Sequence, residues 1–159
     1  MCFPVWVMMG LFRLICKLGM CRSRGLASAI ADAINWKIWG RDQALPVIRI
    51  SGCPNACGQH QIADIGFQGH ARRVNGRLMP YYNVFAGANL RQGQTELGHR
   101  IGALPAKRVP AFMEAVAAQG LYTSDALILC LQAFINLDEA SVPEDYFLDF
   151  DAQGAFSLE

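Results

Sequence analysis

Apolar and polar positions along this chain change period several times, and each change predicts an element. Val47 to Ser51 is a short apolar run between Pro46 and Gly52, which predicts a buried strand. Ile62 to Arg73 and Arg77 to Ala86 predict an antiparallel pair. The Val74-Asn75-Gly76-Arg77 segment between them carries the Asn-Gly turn that hairpins favour, because both central residues take positive φ. Tyr81, Asn83 and Phe85 alternate with Tyr82 and Val84, as in a strand with two occupied faces. Helical spacing appears three times. Leu26, Ile30, Ala33, Ile34 and Ile38 predict a helix from Ser23, its cap, to Trp39, with Gly40 as the stop. Phe112, Met113, Val116 and Ala117 predict a second helix over Pro110 to Ala118, ended by Gly120. A third should run from Ser124 to about Asn136, capped by Ser124 or Thr123, with Cys130 in its apolar stripe as a core residue. Gly87 to Gly102 is Gly-rich and polar, and predicts a loop or short edge strand. Together these elements predict an α+β fold: a small, mostly antiparallel sheet with helices packed on one face.

The 159 residues suffice for one domain with a core, and 53% of them are hydrophobic against 17% charged. A net charge of +1 conceals a split. All 14 Lys and Arg lie at or before Arg108, opposed there by Asp32, Asp42, Asp64 and Glu96, a net +10. Residues 109–159 carry nine acids and no Lys or Arg, a net −9. Two readings follow: a basic front suited to an anionic cofactor or oxyanion, or a front and tail that neutralise each other. The basic residues are scattered and no nucleic-acid motif interleaves them, so nucleic acid is not the expected partner. The tail from Asp138 to Glu159 is acidic with spaced aromatics, Tyr146, Phe147, Phe150 and Phe156; it would wrap the surface or meet a partner, with weak order as the default.

The six cysteines are too sparse for a disulfide scaffold. The apolar run from Phe3 to Phe12 is about half a membrane span. It is ended by Arg13, without a basic leader or a small-residue cleavage site, so the expectation is a soluble, cytoplasmic protein with no membrane partner.

The chemistry concentrates in Ser51-Gly52-Cys53-Pro54-Asn55-Ala56-Cys57-Gly58-Gln59-His60. Two thiols stand four residues apart. Pro54 fixes one backbone angle, and Gly52 and Gly58 permit angles other residues resist. Were Cys53 to begin a helical turn, Cys57 would share its face and both sulfurs could reach one object. Zinc, an iron–sulfur cluster and two incidental buried thiols all remain open on spacing alone. A zinc or structural thiol module would recruit His60 or His70.

The words around these cysteines carry more. Ile50 to His60, then Ile62-Ala63-Asp64-Ile65-Gly66-Phe67, resembles the second cysteine motif of the sirohaem-dependent nitrite and sulfite reductases. The likeness continues through Gly69, Asn75-Gly76-Arg77, Pro80, Tyr82 and Gly87 to Leu104-Pro105-Ala106-Lys107-Arg108-Val109-Pro110. Upstream, Cys16-Lys17-Leu18-Gly19 and Ser23-Arg24-Gly25-Leu26-Ala27 look like the end of the family's first cysteine motif. The resemblance spans about residues 16–120, and sets apart an atypical apolar stretch, 1–15, and a helix with an acidic tail, 121–159.

The resemblance implies a [4Fe-4S] cluster held by four cysteines, one of which also ligates the sirohaem iron, and reduction of sulfite to sulfide or nitrite to ammonium by six electrons from a donor protein or subunit. Carried over residue by residue, Cys16, Cys53 and Cys57 become cluster ligands, and Cys57 the bridge to sirohaem. Asn55 and Gln59 fall where the family meets the macrocycle or the cluster edge. Arg22 and Arg24 stand where a guanidinium could pair with an anionic cofactor side chain, or be solvated. His60 reads as a turn or core hydrogen-bond partner rather than a cofactor contact. The first motif in the family is C-x5-C, and the position its first cysteine would fill is Gly10. Either residues 1–15 are a junction or misread start, or Cys2 or Cys21 substitutes. The family's substrate-gripping basic residues lie mainly upstream of its first motif, so this chain alone is expected not to be a competent reductase. The alternative is an electron-transfer module with a cluster and no sirohaem.

Overall fold

The computed structural model describes residues 8–9, 19–34, 46–120 and 122–158. One mixed sheet organises them, with strands β1 (Met8–Met9), β2 (Ile48–Ser51), β3 (Ile65–Val74), β4 (Arg77–Ala86) and β5 (His99–Pro105) in that spatial order. The two short strands pair in parallel, β1 with β2 and β2 with β3. The long ones are antiparallel, β3 with β4 and β4 with β5. The fold is α+β, and most of its ladder is antiparallel, as the periodicity predicts.

The β3–β4 hairpin turns at Asn75 (φ 50°) and Gly76 (φ 76°), both in the left-handed region that a two-residue hairpin turn of this twist needs. That turn fixes the register. Gly69 lies opposite Tyr82, Gln68 opposite Asn83 and Phe67 opposite Val84. Because successive side chains alternate, one face carries Ile48, Ile50, Ile65, Phe67, Tyr82, Val84 and Leu104, all essentially inaccessible. Three helices cover this face: α1 (Ser23–Ala33), α2 (Val109–Gln119) and α3 (Ser124–Ile135). Leu26 and Ile30 of α1, Phe112, Met113 and Val116 of α2, and Leu127 and Leu131 of α3 complete one core with the strands. Gly120, at φ 63°, ends α2 in the left-handed conformation favoured at helix ends.

The opposite face is divided. At one end Met79 and Tyr81 are buried under Phe147 of the C-terminal tail, with Leu137, Val142 and Tyr146 around them. At the other end, beside the cysteine segment, the face is polar. The tail is thus a packed element, with 3-10 turns at Glu139–Ser141 and Glu144–Phe147 and with Phe147, Asp149 and Phe156 buried.

Several local expectations change. Helix α1 ends at Ala33, with Ile34 extended at φ −80° and ψ 98°, short of the expected Trp39, which with Gly40 lies outside the described residues. Ser23 is its first helical residue rather than its cap; Arg22 holds the cap position without a side-chain bond. The Gly-rich segment holds a loop pinned by a bridge between Asn89 and Glu96, and then gives way to β5 at His99. A register shift between Val84 and Phe85 lets β5 follow β4 past its glycine.

The charge split has a structural counterpart. Arg72 pairs with Glu139 at 3.0 Å and Arg77 with Glu144 at 2.8 Å, and Arg77 also lies over the Phe147 ring. Arg22 donates its backbone N–H to Asp149 at 2.7 Å and its guanidinium to the Asp151 carbonyl. Two of the tail's acids, Glu139 and Glu144, thus lie on basic residues of the front.

Candidate functional site

Cys53 and Cys57 stand on the segment that leaves β2 and enters β3. It is a succession of bends and turns from Gly52 to Gln59, not a helix, so the helical-face expectation for the two thiols is replaced by a loop. Cys53 is 7% exposed and Cys57 is exposed. Asn55 and Gln59 are exposed on the same turn, with the Gln59 amide oxygen accepting from the Arg49 guanidinium. The residues in left-handed conformation are Ala56 (φ 55°) and Gln59 (φ 53°), not the glycines. A Gln59 N–H to Ala56 carbonyl bond of 2.7 Å closes the tight turn around Cys57.

Gly52 and Gly58 serve close approach instead. A Cβ on Gly52 would stand 2.5 Å from the Cys21 carbonyl oxygen, and one on Gly58 would stand 2.3 Å from that of Ile50. Through that contact the Cys21 N–H reaches the Gly52 carbonyl at 2.8 Å, so the lead into α1 is stitched to the residue before Cys53. On the far side of the pair, the Gly58 N–H donates to Ser51 Oγ at 3.2 Å. The segment holding both thiols is therefore fixed at each end.

The remaining candidates are placed as follows. Cys21 is fully buried over Gly69, with Sγ 3.5 Å from the His70 carbonyl oxygen and 3.7 Å from that of Tyr81. Arg24 is exposed on α1. Cys2, Gly10 and Cys16 lie outside the described residues. Cys130 is half-buried against the core, and burial pushes its thiol pKa up, as suits an apolar position. His60 is 1% exposed, with Nδ1 2.9 Å from Ser51 Oγ and its ring 4.6 Å from that of Phe85. Burial lowers its pKa. The pKa of His70, packed 5.6 Å from the Tyr81 ring, is lowered by burial first and then by Arg100, against an upward effect of the Gln68 backbone, with Arg72 lowering it least. Among the described residues no three His, Cys, Asp or Glu side chains gather as a metal-holding group.

Sequence reasoning missed what surrounds the turn. Ser51, Gln68 and Asn83 form one row across β2, β3 and β4, with Arg49, Phe85 and Arg100 in the next. The Asn75-Gly76 turn was the available signal, since counting outward from it sets Gln68 opposite Asn83.

Residues 23–119, more than half of the chain, match the nitrite and sulphite reductase 4Fe-4S domain family. The chain belongs to this family. Cys53 and Cys57 lie inside the matched span. Among similar proteins, the ferredoxin–nitrite reductase of Synechococcus elongatus is 34% identical over 76 residues, 47% of this chain and 14% of that one. The chloroplastic ferredoxin–nitrite reductase of Betula pendula is 44% identical over 61 residues, 38% of this chain and 10% of that one. The chain thus spans about a seventh or less of the length of these relatives. The solved structure of the Mycobacterium tuberculosis NirA protein aligns with 74% of this chain and 21% of its own, at 22% identity and a TM-score of 0.45. No helix among the described residues is long and apolar enough to cross a membrane.

The nitrite and sulphite reductase 4Fe-4S family asks for thiolate donors. The turn offers two of them from a fixed backbone, one sheltered and one facing outward. They fit half of a four-cysteine donor set.

Proposed function

We propose that this chain is the cluster-holding domain of a nitrite or sulfite reductase, with Cys53, Cys57 and Cys16 as thiolate ligands of a [4Fe-4S] cluster and Cys57 shared with a sirohaem. The observation that carries the reading is the pair of thiols on a turn fixed at both ends, inside the family's matched span. The cluster would supply the electrons that side chains cannot. The chain's own part is to hold the thiols and shelter Cys53 from water. The exposed Asn55, Cys57 and Gln59 edge is where a macrocycle would lie, with the Arg24 guanidinium on α1 as a further contact for its anionic side chains. The substrate class is a small oxyanion, nitrite or sulfite, and the donor a ferredoxin-type protein, by likeness to the named reductases. Turnover belongs to the assembled reductase, not to this domain by itself.

The test is an absorption spectrum with iron and acid-labile sulfide assays, on protein made without oxygen in a sirohaem-producing host. Iron and sulfide in equal amounts, with a Soret-type band, is the expected result. Iron and sulfide without that band would favour a cluster-only electron carrier. Colourless protein binding neither would overturn the reading.

A further inference from the structure

A row of polar side chains crosses the sheet beside the cysteine turn, and its hydrogen bonds have a direction. Arg100 Nη1 lies 3.3 Å from Asn83 Oδ1. Asn83 Nδ2 lies 2.8 Å from Gln68 Oε1, Gln68 Nε2 3.4 Å from His60 Nε2, and His60 Nδ1 2.9 Å from Ser51 Oγ. A guanidinium can only donate. Asn83 must therefore turn its oxygen to Arg100 and its NH2 to Gln68. Gln68 then receives on its oxygen and donates from its nitrogen. His60 Nε2 must accept, so its proton sits on Nδ1 and is donated to Ser51. One obligate donor thus sets every amide orientation and one tautomer along the row. Burial favours the neutral imidazole this requires.

Ser51 Oγ then receives two N–H groups, from His60 and from Gly58. Its own O–H is left as a donor, in the residue that brackets the two thiols. Hydrogen bonds toward cluster sulfurs are among the factors that set a cluster's potential.

We propose that Arg100 is a positioning residue for the Cys53–Cys57 turn, acting through Asn83, Gln68 and His60 to orient the Ser51 hydroxyl. The inference rests on the proposed function only in taking the two thiols as ligands; the hydrogen-bond direction stands apart from it.

Nitrogen-detected NMR of the full chain reads the His60 tautomer directly, and the Gly58 amide proton reports on Ser51 in the same sample. The parent should show Nδ1–H and a bare Nε2. Asn83→Asp removes the donor that faces Gln68. The Gln68 amide should then flip, Nε2 of His60 should take the proton, and Ser51 should donate to Nδ1, moving the Gly58 resonance. Arg100→Lys keeps an obligate donor and should keep the parent tautomer. Should Asn83→Asp fail to fold, Gln68→Glu places a carboxylate oxygen on His60 Nε2 and should protonate it while leaving Asn83 and Arg100 alone. A parent with Nε2–H, or a folded Asn83→Asp or Gln68→Glu chain with His60 and Gly58 unmoved, would overturn the proposal. A purely structural role would lower stability without exchanging the tautomer. Cluster content is scored separately: an Nδ1–H tautomer in protein that binds no iron refutes the cluster reading and leaves the directed row intact.

Discussion

Ser51 Oγ accepts the Gly58 amide at 3.2 Å, joining the residue two before Cys53 to the residue after Cys57. The bond spans the whole thiol-bearing segment. Ser51 is 2% exposed, so its loss cannot be made good by bulk water. Ser51→Ala leaves the Gly58 N–H and His60 Nδ1 without their acceptor. The expected cost is about 1–3 kcal/mol of unfolding free energy, measured by urea denaturation of the metal-free chain. A cost below about 0.5 kcal/mol, inside ordinary surface-substitution scatter, would mean that the segment is held some other way.

Two neighbouring positions should respond with opposite sign. Gly58 has no room for a Cβ, with the Ile50 carbonyl oxygen 2.3 Å from where it would stand. Gly58→Ala should cost about 1–3 kcal/mol, because backbone must shift to admit it. Ala56 sits at φ 55°, which an L-residue adopts at a cost. Ala56→Gly should leave stability unchanged or raise it by up to about 1 kcal/mol. Thermal melts of both variants decide the matter, and equal losses would count against the assigned turn geometry.

The buried histidines make a pH prediction. The pKa values of His60 and His70 are both held below the ordinary 6.5, by burial first. The unfolded chain therefore takes up protons before the folded one does as the pH falls. Stability should be level above about pH 6.5 and should decline below it, toward the lowered folded-state values. Urea midpoints at a series of pH values would show this, and His70→Gln should flatten part of the slope. A midpoint that rises between pH 6.5 and 5 would contradict it.

On the tail, packing should outweigh charge. The Arg72–Glu139 and Arg77–Glu144 pairs are exposed, so Glu139→Gln and Glu144→Gln should each cost less than about 1 kcal/mol. Phe147 is buried against Met79 and Tyr81, and Phe147→Ala should cost about 3 kcal/mol or more. Limited proteolysis after residue 136 should accelerate in the phenylalanine variant and not in the glutamine ones.

Legibility followed the range of the interaction concerned. The hairpin was readable because Asn75-Gly76 imposes its conformation locally, and α2 and α3 because Phe112, Met113, Val116, Leu127 and Leu131 repeat at helical spacing. Strand β5 was obscured because Gly102 interrupts its apolar alternation and its pairing is set by β4 across a bulge. The cysteine turn announced its thiols by residue type. The reason for its glycines did not show, because the Cys21 and Ile50 carbonyls that exclude a Cβ come from the neighbouring chain path rather than from local φ. The Arg100-to-Ser51 row was silent for the same reason: its members come from five separate segments, four strands and the turn that carries His60, and only the folded sheet brings them together.

The stitches on either side of Cys53 and Cys57 use backbone groups of Gly52, Cys21 and Gly58 and the Ser51 hydroxyl, and none of them needs a bound metal. Arranging two thiols normally lowers the entropy of whatever binds them. Here that ordering is completed by the chain's own hydrogen bonds when the sheet forms. On the proposed reading, a ligand of these two thiols would not have to bear the cost of closing this turn.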